Sequence, residues 1–435
     1  MRYLGGRFPR GAGGAGVTQA TRPPPHILVV GTADTKSDEI GFLCEQVLAA
    51  GGRPLVMDVG VLGSGRIQAA IPNHDVAAAA GVSLQQVVDS GDENSAIRLM
   101  AQGASTLANQ WYAAGRIQGL LALGGTMGTD LSLDVASSLP LGVPKVVLST
   151  VSFSALLPPE RLSPDLMMVL WSGGLYGLNS LCRSALSQAA GAVVGACQVA
   201  LPPRFDKPVV GMTSLGSSAL KYMLHLKPEL EARGFDLAVF HTTGMGGRAF
   251  ETLAAQGRFA CVMDFSLQEL VNQLGGSVVS AGPDRLLGAA HRGIPMLVAP
   301  GATDMVDYPA WTSVPTRFAS RAAHTHNRLI ASVSIDAAMR QQVAHVIAER
   351  LRQARGPVHL VLPMHGIEQW DRPGEPFHDP EGLQALLSAL AEEDLGSASR
   401  HRLDAHINDR AFADHVLAVF DSWLQRGWIA RGAYV

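Results

Sequence analysis

Two kinds of residue in this chain are placed to do chemistry. Glycine, threonine and serine gather where apolar runs give way to helical patterns, and carboxylates and imidazoles follow later apolar runs. Gly31-Thr32-Ala33-Asp34-Thr35-Lys36-Ser37 comes after the apolar run 26–30. Gly124-Gly125-Thr126-Met127-Gly128-Thr129 comes after Leu120-Leu121-Ala122-Leu123, and Ser149-Thr150 closes the next run. In the second half the counterparts are Thr213-Ser214-Leu215-Gly216-Ser217-Ser218 and His241-Thr242-Thr243-Gly244-Met245-Gly246-Gly247-Arg248. Such turns put free backbone N–H groups and hydroxyls at a helix N-terminus, where the helix dipole favours an anion such as phosphate. Lys36 and Arg248 are the cations within them, and the arginine fork suits phosphate or carboxylate. The same residue types also serve as plain helix caps, with Asp34, Thr35 or Ser37 satisfying orphan N–H groups.

The acidic candidates lie at later strand ends. Asp264 ends one apolar run with Glu269 beyond it, and Gly282-Pro283-Asp284-Arg285 and Pro300-Gly301-Ala302-Thr303-Asp304 are further turns. Carboxylates so placed can hold Mg²⁺ through water and ligand phosphates, which makes Asp264 and Asp304 the candidate metal ligands; they can equally cap helices. Asp404 and His406, two residues apart, share one face if their segment is extended. With His241 they are the candidate acid–base groups. The Lys36-Ser37 ending lacks the spacing of a Walker loop, no G-x-S-x-G elbow occurs, and no H-x-x-x-H or H-E-x-x-H pattern supports a dedicated transition-metal site.

Positioning these turns requires strands and helices in alternation. Strands are expected at 26–30, 54–58, 118–123 and 144–149, with helices between them and a long helix over about 178–200. Three prolines within 201–208 mark a linker. Strands follow near 208–212, 236–240, 260–264, 294–299 and 357–362, then a helix over about 335–355, a short strand near 402–405 and a helix over about 410–426. The expected architecture is α/β: two Rossmann-like domains, 26–201 and 208–435, each an open parallel sheet flanked by helices, after a disordered leader over 1–25. At 435 residues the chain exceeds one ordinary core. Hydrophobic residues at 47% against 16% charged suit strands buried on both faces.

A net charge of −3 provides no basic field for nucleic acid. No apolar run reaches the roughly 20 residues of a membrane-spanning helix. Cys44, Cys182, Cys197 and Cys261 are scattered without C-x-x-C spacing and read as reduced thiols of a cytoplasmic protein.

Val30 to Lys36, the Gly124 turn, Val143-Pro144-Lys145 with Ser149-Thr150-Val151, His241 to Arg248, Ser280 to Arg285, Pro300 to Val306, Pro376-Phe377-His378-Asp379-Pro380 and Leu403 to Asp409 form one ordered set. That set resembles the ATP-binding domain family named for the tomato mosaic virus resistance protein, from about residue 26 to the C-terminus. The resemblance implies two Rossmann-like halves, a homodimer, and binding of ATP with Mg²⁺. Two departures are Met127, where the family has glycine, and Ser152-Phe153-Ser154 in place of a run of small residues. Both are expected to narrow or block a first-half phosphate pocket.

The expected ligand contacts are Gly31, Thr32, Asp34, Thr35, Lys36, Gly124, Gly125, Thr126, Gly128, Thr129, Ser149, Thr150, His241, Thr243, Gly244, Gly246, Gly247, Arg248, Asp264, Gly282, Asp284 and Gly301, near the interdomain cleft. The leading expectation is a nucleotide-binding protein that takes ATP with Mg²⁺. One alternative is an enzyme acting on a phosphorylated or carboxylate metabolite with Asp404, His406 or His241 as acid or base. Another is an interaction module whose nucleotide only stabilises its shape.

Overall fold

The computed structural model describes residues 23–63, 65–201 and 203–430, with the backbone alone over 217–220. Most of the expected leader lies outside the described residues. The chain divides into two compact units, Met1–Phe153 with Asp165–Pro202, and Ser154–Pro164 with Pro203–Val435.

In the first unit, β1 (His26–Gly31), β2 (Arg53–Asp58), β3 (Gly119–Gly124), β4 (Lys145–Ser149) and β5 (Leu166–Leu170) form one parallel sheet in the order β2-β1-β3-β4-β5. The central strands are uninterrupted apolar runs because helices cover both faces. Leu28, Val30, Leu120 and Val147 pack with Met100, Ala104 and Val135 on one face, and Ile27, Val29, Leu121 and Val146 with Leu43, Val47, Leu186 and Val193 on the other. The strand β5 is not among the expected elements. Its Leu-Met-Met-Val-Leu run follows Pro158, Pro159 and Pro164 and lies half-buried at the sheet edge.

In the second unit, β6 (Val209–Ser214), β7 (Asp236–His241), β8 (Cys261–Asp264), β9 (Met296–Val298), β13 (Val358–Pro363) and β14 (Ser399–Leu403) form a second parallel sheet, ordered β14-β13-β9-β8-β6-β7. Between β9 and β13 the chain forms a three-stranded antiparallel sheet that the sequence reading lacks, β10 (Met305–Pro309), β11 (Ala323–Thr325) and β12 (Ile330–Ser334), ordered β10-β12-β11. One core of this unit joins Val210, Met212, Met263 and Leu297 to Phe412, Val416 and Phe420 of the helix Arg410–Gln425. Both parallel sheets carry helices, as two Rossmann-like domains require. Among the described residues no helix is long and apolar enough to cross a membrane.

Candidate functional site

In an open parallel sheet, ligands lie beyond the carboxyl ends of the strands where strand order reverses. In the first unit that point is between β1 and β3, and a cavity of about 920 Å³ opens there. Its polar rim is the β1 turn (Thr32, Asp34, Thr35, Lys36), the β3 turn (Gly124 to Gly128) and Thr150. Its apolar wall includes Val59, Val61, Val87, Ile97, Met100 and Leu131. All the lining residues belong to the first unit. Met127 is among them and half-exposed, while Phe153 is 78% exposed with φ 62° and does not line the cavity, so neither departure closes it.

Both turns are held by neighbouring groups. Asp58, at the end of β2, accepts the N–H groups of Ala33 and Gly60 through Oδ1, each at 2.9 Å. That carboxylate ties the β1 turn to the β2 turn, so it is spent where a dinucleotide site would use an acid for ribose. Burial pushes the Asp58 carboxyl up. Asp34 Oδ2 accepts Leu62 N–H at 2.8 Å, while the buried Oδ1 has no partner. The helices Ala33–Ala49 and Thr126–Ser138 both start without a side-chain cap. In the first helix Ala33 N–H goes to Asp58 and the N–H groups of Thr35 and Lys36 to the Thr32 carbonyl, which leaves Asp34 N–H, whereas the second helix presents the N–H groups of Thr126, Met127 and Gly128 ahead of the Thr129 bond to Gly125.

A Cβ at Gly124 would meet Gly128 Cα at 2.5 Å, which is why this turn needs glycine. Thr129 and Ser149 pair hydroxyl to hydroxyl at 2.6 Å, and Thr150 N–H donates to Gly124 at 3.2 Å, binding the β4 end to the turn. Thr129 and Ser149 are thus buried supports, and Thr150 faces the cavity. Lys36 leaves helical geometry at φ −126°, with its Nζ 5.0 Å from the Tyr176 ring centroid.

The glycine turn of the second unit is filled by the protein itself. Glu269 Oε1 accepts Gly244 N–H at 2.6 Å and Gly247 N–H at 3.0 Å, the place where an external anion would bind. Gly247 has no side chain to obstruct this, since a Cβ there would fall 1.6 Å from Glu269 Oε2. Gly246 lies as tightly against His241, whose carbonyl accepts Thr243 N–H at 2.9 Å. Arg248 is paired in bidentate fashion with Asp284 at 2.6 and 2.9 Å beside Gly282.

Asp264 is fully buried, with its two oxygens on Arg285 at 2.5 and 2.7 Å and Thr213 donating to it at 2.7 Å. Arg285 also reaches Glu251 and Glu269. One guanidinium faces three carboxylates, and burial pushes Glu269 up to about 7 and Glu251 upward. Gly301 packs its backbone against Phe265, and His241 Nδ1 lies 3.3 Å from the Ser214 carbonyl.

Asp404 and His406 do not share a face. The strand ends at Leu403, whose carbonyl accepts Ala405 N–H at 2.8 Å, so the chain turns there. Asp404 points into solvent beside His365 at 2.9 Å. His406 is buried, its Nδ1 accepting Asn408 N–H at 3.0 Å and its Nε2 lying 3.0 Å from Asp371 Oδ1. With Nδ1 an acceptor, the ring proton sits on Nε2 and points at Asp371, which leaves neither nitrogen open.

Asp304 is fully buried and both of its oxygens lack partners. Burial, with Asp371 and Asp379 nearby, pushes it up to about 7 against the pull of Arg340. Glu368, on the loop after β13, is likewise buried, and burial with the Asp304 charge pushes it up to about 10. Among the described residues no three His, Cys, Asp or Glu side chains converge as a metal-binding group. Asp58, Glu368, Asp371 and the apolar wall are absent from the sequence reading. Of these only Asp58 carried a signal, an acid closing a strand.

The chain matches two family descriptions, the N-terminal domain of the uncharacterised protein family UPF0261 over residues 25–202 and its C-terminal domain over 207–424. A UPF0261 protein of Brucella suis is 53% identical over 408 residues, covering 94% of this chain and 98% of that protein. One from Clostridium tetani is 32% identical, covering 89% and 96%. The ToMV resistance protein Tm-1 of Solanum lycopersicum is 30% identical, covering 92% of this chain and 56% of that protein. Among solved structures, the glycosyltransferase SsfS6 of Streptomyces sp. SF2575 is 13% identical, covering 90% of this chain and 99% of that one, with a TM-score of 0.19 that carries no argument. Across both of its units, this chain belongs to the UPF0261 family.

Proposed function

We propose that the first unit binds a nucleotide, ATP with Mg²⁺, over the β1/β3 switch point. The observation that carries this reading is the cavity itself, in which two helix N-termini meet an apolar chamber. Its volume falls within the range of roughly 300 to 1,000 Å³ usual for small-ligand pockets. The phosphates take the Asp34 N–H and the N–H groups of the Gly125–Gly128 turn, where two helix dipoles add their field. Lys36 supplies the cation, exchanging the Tyr176 ring for phosphate, and the base lies against Val59, Val61, Val87 and Met100. Asp34 fits a magnesium ion, because its buried Oδ1 has no other partner and Mg²⁺ commonly takes one carboxylate with waters and phosphates. Bound there, the ion would neutralise phosphate charge.

A homodimer belongs to the same proposal, and light scattering of the purified chain tests it. For the nucleotide, thermal unfolding is followed with Mg²⁺-ATP, Mg²⁺-GTP and Mg²⁺ alone, on the wild type and on Lys36→Ala. A stabilisation that grows with ATP concentration and weakens in Lys36→Ala is expected. No shift at millimolar ATP would refute the reading.

A further inference from the structure

We propose that Asp304 and Glu368 hold a hard divalent cation of the magnesium class between the ends of β9 and β13, as a structural ion of the second unit. The two strands are parallel neighbours, so their following loops, Ala299–Asp304 and Met364–Asp371, lie side by side at the carboxyl edge of the sheet. The loops are joined where Ala302 N–H donates to the Ile367 carbonyl at 3.2 Å. Asp304 is 0% and Glu368 5% exposed. Three of their four carboxylate oxygens, both of Asp304 and Oε1 of Glu368, have no hydrogen-bond partner; the fourth accepts Trp370 N–H at 2.7 Å.

Buried carboxylate oxygens left unpaired are costly, and native proteins resolve them with a partner, a metal or ordered water. The two groups interact electrostatically, yet neither bridges to the other by hydrogen bond. No neighbouring side chain hydrogen-bonds to these three oxygens, although the buried Arg340, whose Nε is itself unpartnered, attracts Asp304. Arg340 donates to Asp379 at 3.2 Å, and Asp371 is occupied by His406 and by the N–H groups of Ile367 and Glu368. A divalent ion can take lone pairs from all three free oxygens at once. The free ligands are all oxygen and only two in number. That donor set suits Mg²⁺, which is commonly held by one or two carboxylates and keeps several waters.

The site stands independently of nucleotide binding, and its test contains no nucleotide. Full-length protein is analysed for bound metal and unfolded thermally after incubation with EDTA and after Mg²⁺ is restored. About one ion per chain is expected, with a melting temperature that falls in EDTA and recovers with Mg²⁺. Asp304→Asn and Glu368→Gln should each lose the ion and the shift, while the exposed Asp404→Asn keeps both. Without a cation the same amides would relieve buried repulsion and raise the melting temperature. That rise, with no ion and no response to Mg²⁺ in the wild type, overturns the proposal. If either variant fails to fold, Mn²⁺ paramagnetic resonance on the EDTA-treated wild type decides alone. A tightly bound signal is expected, and free Mn²⁺ only would overturn the assignment.

Discussion

Replacing Gly247 with alanine puts the internal occupation of the glycine turn to a test of sign. Gly247 lies within the helix Met245–Ala255, where its backbone is not left-handed. At an ordinary helical position the change from glycine to alanine stabilises by about 1 kcal/mol. Here the new Cβ would sit 1.6 Å from Glu269 Oε2 and 2.3 Å from its carboxyl carbon, so the carboxylate must leave. Its departure strands the Gly244 and Gly247 N–H groups and the Arg285 Nε donor. Three buried donors at about 1 to 3 kcal/mol each would cost roughly 3 to 9 kcal/mol. Arg285 keeps Asp264 and Glu251, so the expected loss is near the lower end, about 3 to 4 kcal/mol.

Urea denaturation followed by circular dichroism measures this loss, with Gly191→Ala as reference. Gly191 lies in the helix Ser180–Val199 with nothing within 4 Å of a Cβ, and should show the ordinary gain of up to about 1 kcal/mol. The double variant Gly247→Ala/Glu269→Ala should cost less than the sum of its singles, because the clash and the lost contacts are the same event. If Gly247→Ala matched or exceeded the wild type in stability, the reasoning about Glu269 would be refuted.

Two further outcomes follow from buried charges. Glu269 is raised from 4.5 to about 7, so the folded state binds this proton more tightly than the unfolded chain; its contribution is complete below about pH 4.5 and lost as pH rises through 7. The loss amounts to about 3 kcal/mol, and Glu269→Gln should flatten the decline in urea stability between about pH 5 and pH 8. Lys145, buried and paired with Asp165 at 2.6 and 2.7 Å, is the second case. Asp165→Asn leaves that ammonium without its counter-ion and should cost about 3 kcal/mol or more, whereas Lys145→Met, which removes the charge itself, should cost less; equal losses would contradict the charge argument.

The central parallel strands were legible because they are short apolar runs, most of them entering turns rich in glycine, threonine or serine, and a strand buried on both faces has no other pattern to show; the polar edge strand β14, Ser-Arg-His-Arg-Leu, was expected three residues late, near 402–405. The same logic hid β5 and the β10–β12 sheet. The former is an edge strand among prolines, and in the latter Ala323–Thr325 and Ile330–Ser334 mix apolar with hydroxyl and imidazole side chains. The turns of the two halves look alike as strings of glycine. What separates them is a partner far along the chain, Glu269 reaching back to Gly244 and Gly247, and residue spacing cannot show whether an anion seat is already taken. Asp404 and His406 failed for a local reason, a two-residue backbone turn that reversed one side chain relative to the other.

The segment Ser154–Pro164 leaves the first unit, joins the second and returns, so no single cut separates the two folding units. A fragment beginning at residue 203 would lack the piece that brings Glu160 against Gly282, where a Cβ would lie 3.2 Å from the Glu160 side chain. Halves divided at the linker, as the two family matches suggest, would leave the second with an uncovered patch beside the Arg248–Asp284 pair. Exchanging halves between relatives therefore has to carry residues 154–164 with the C-terminal partner, or supply them as a separate peptide.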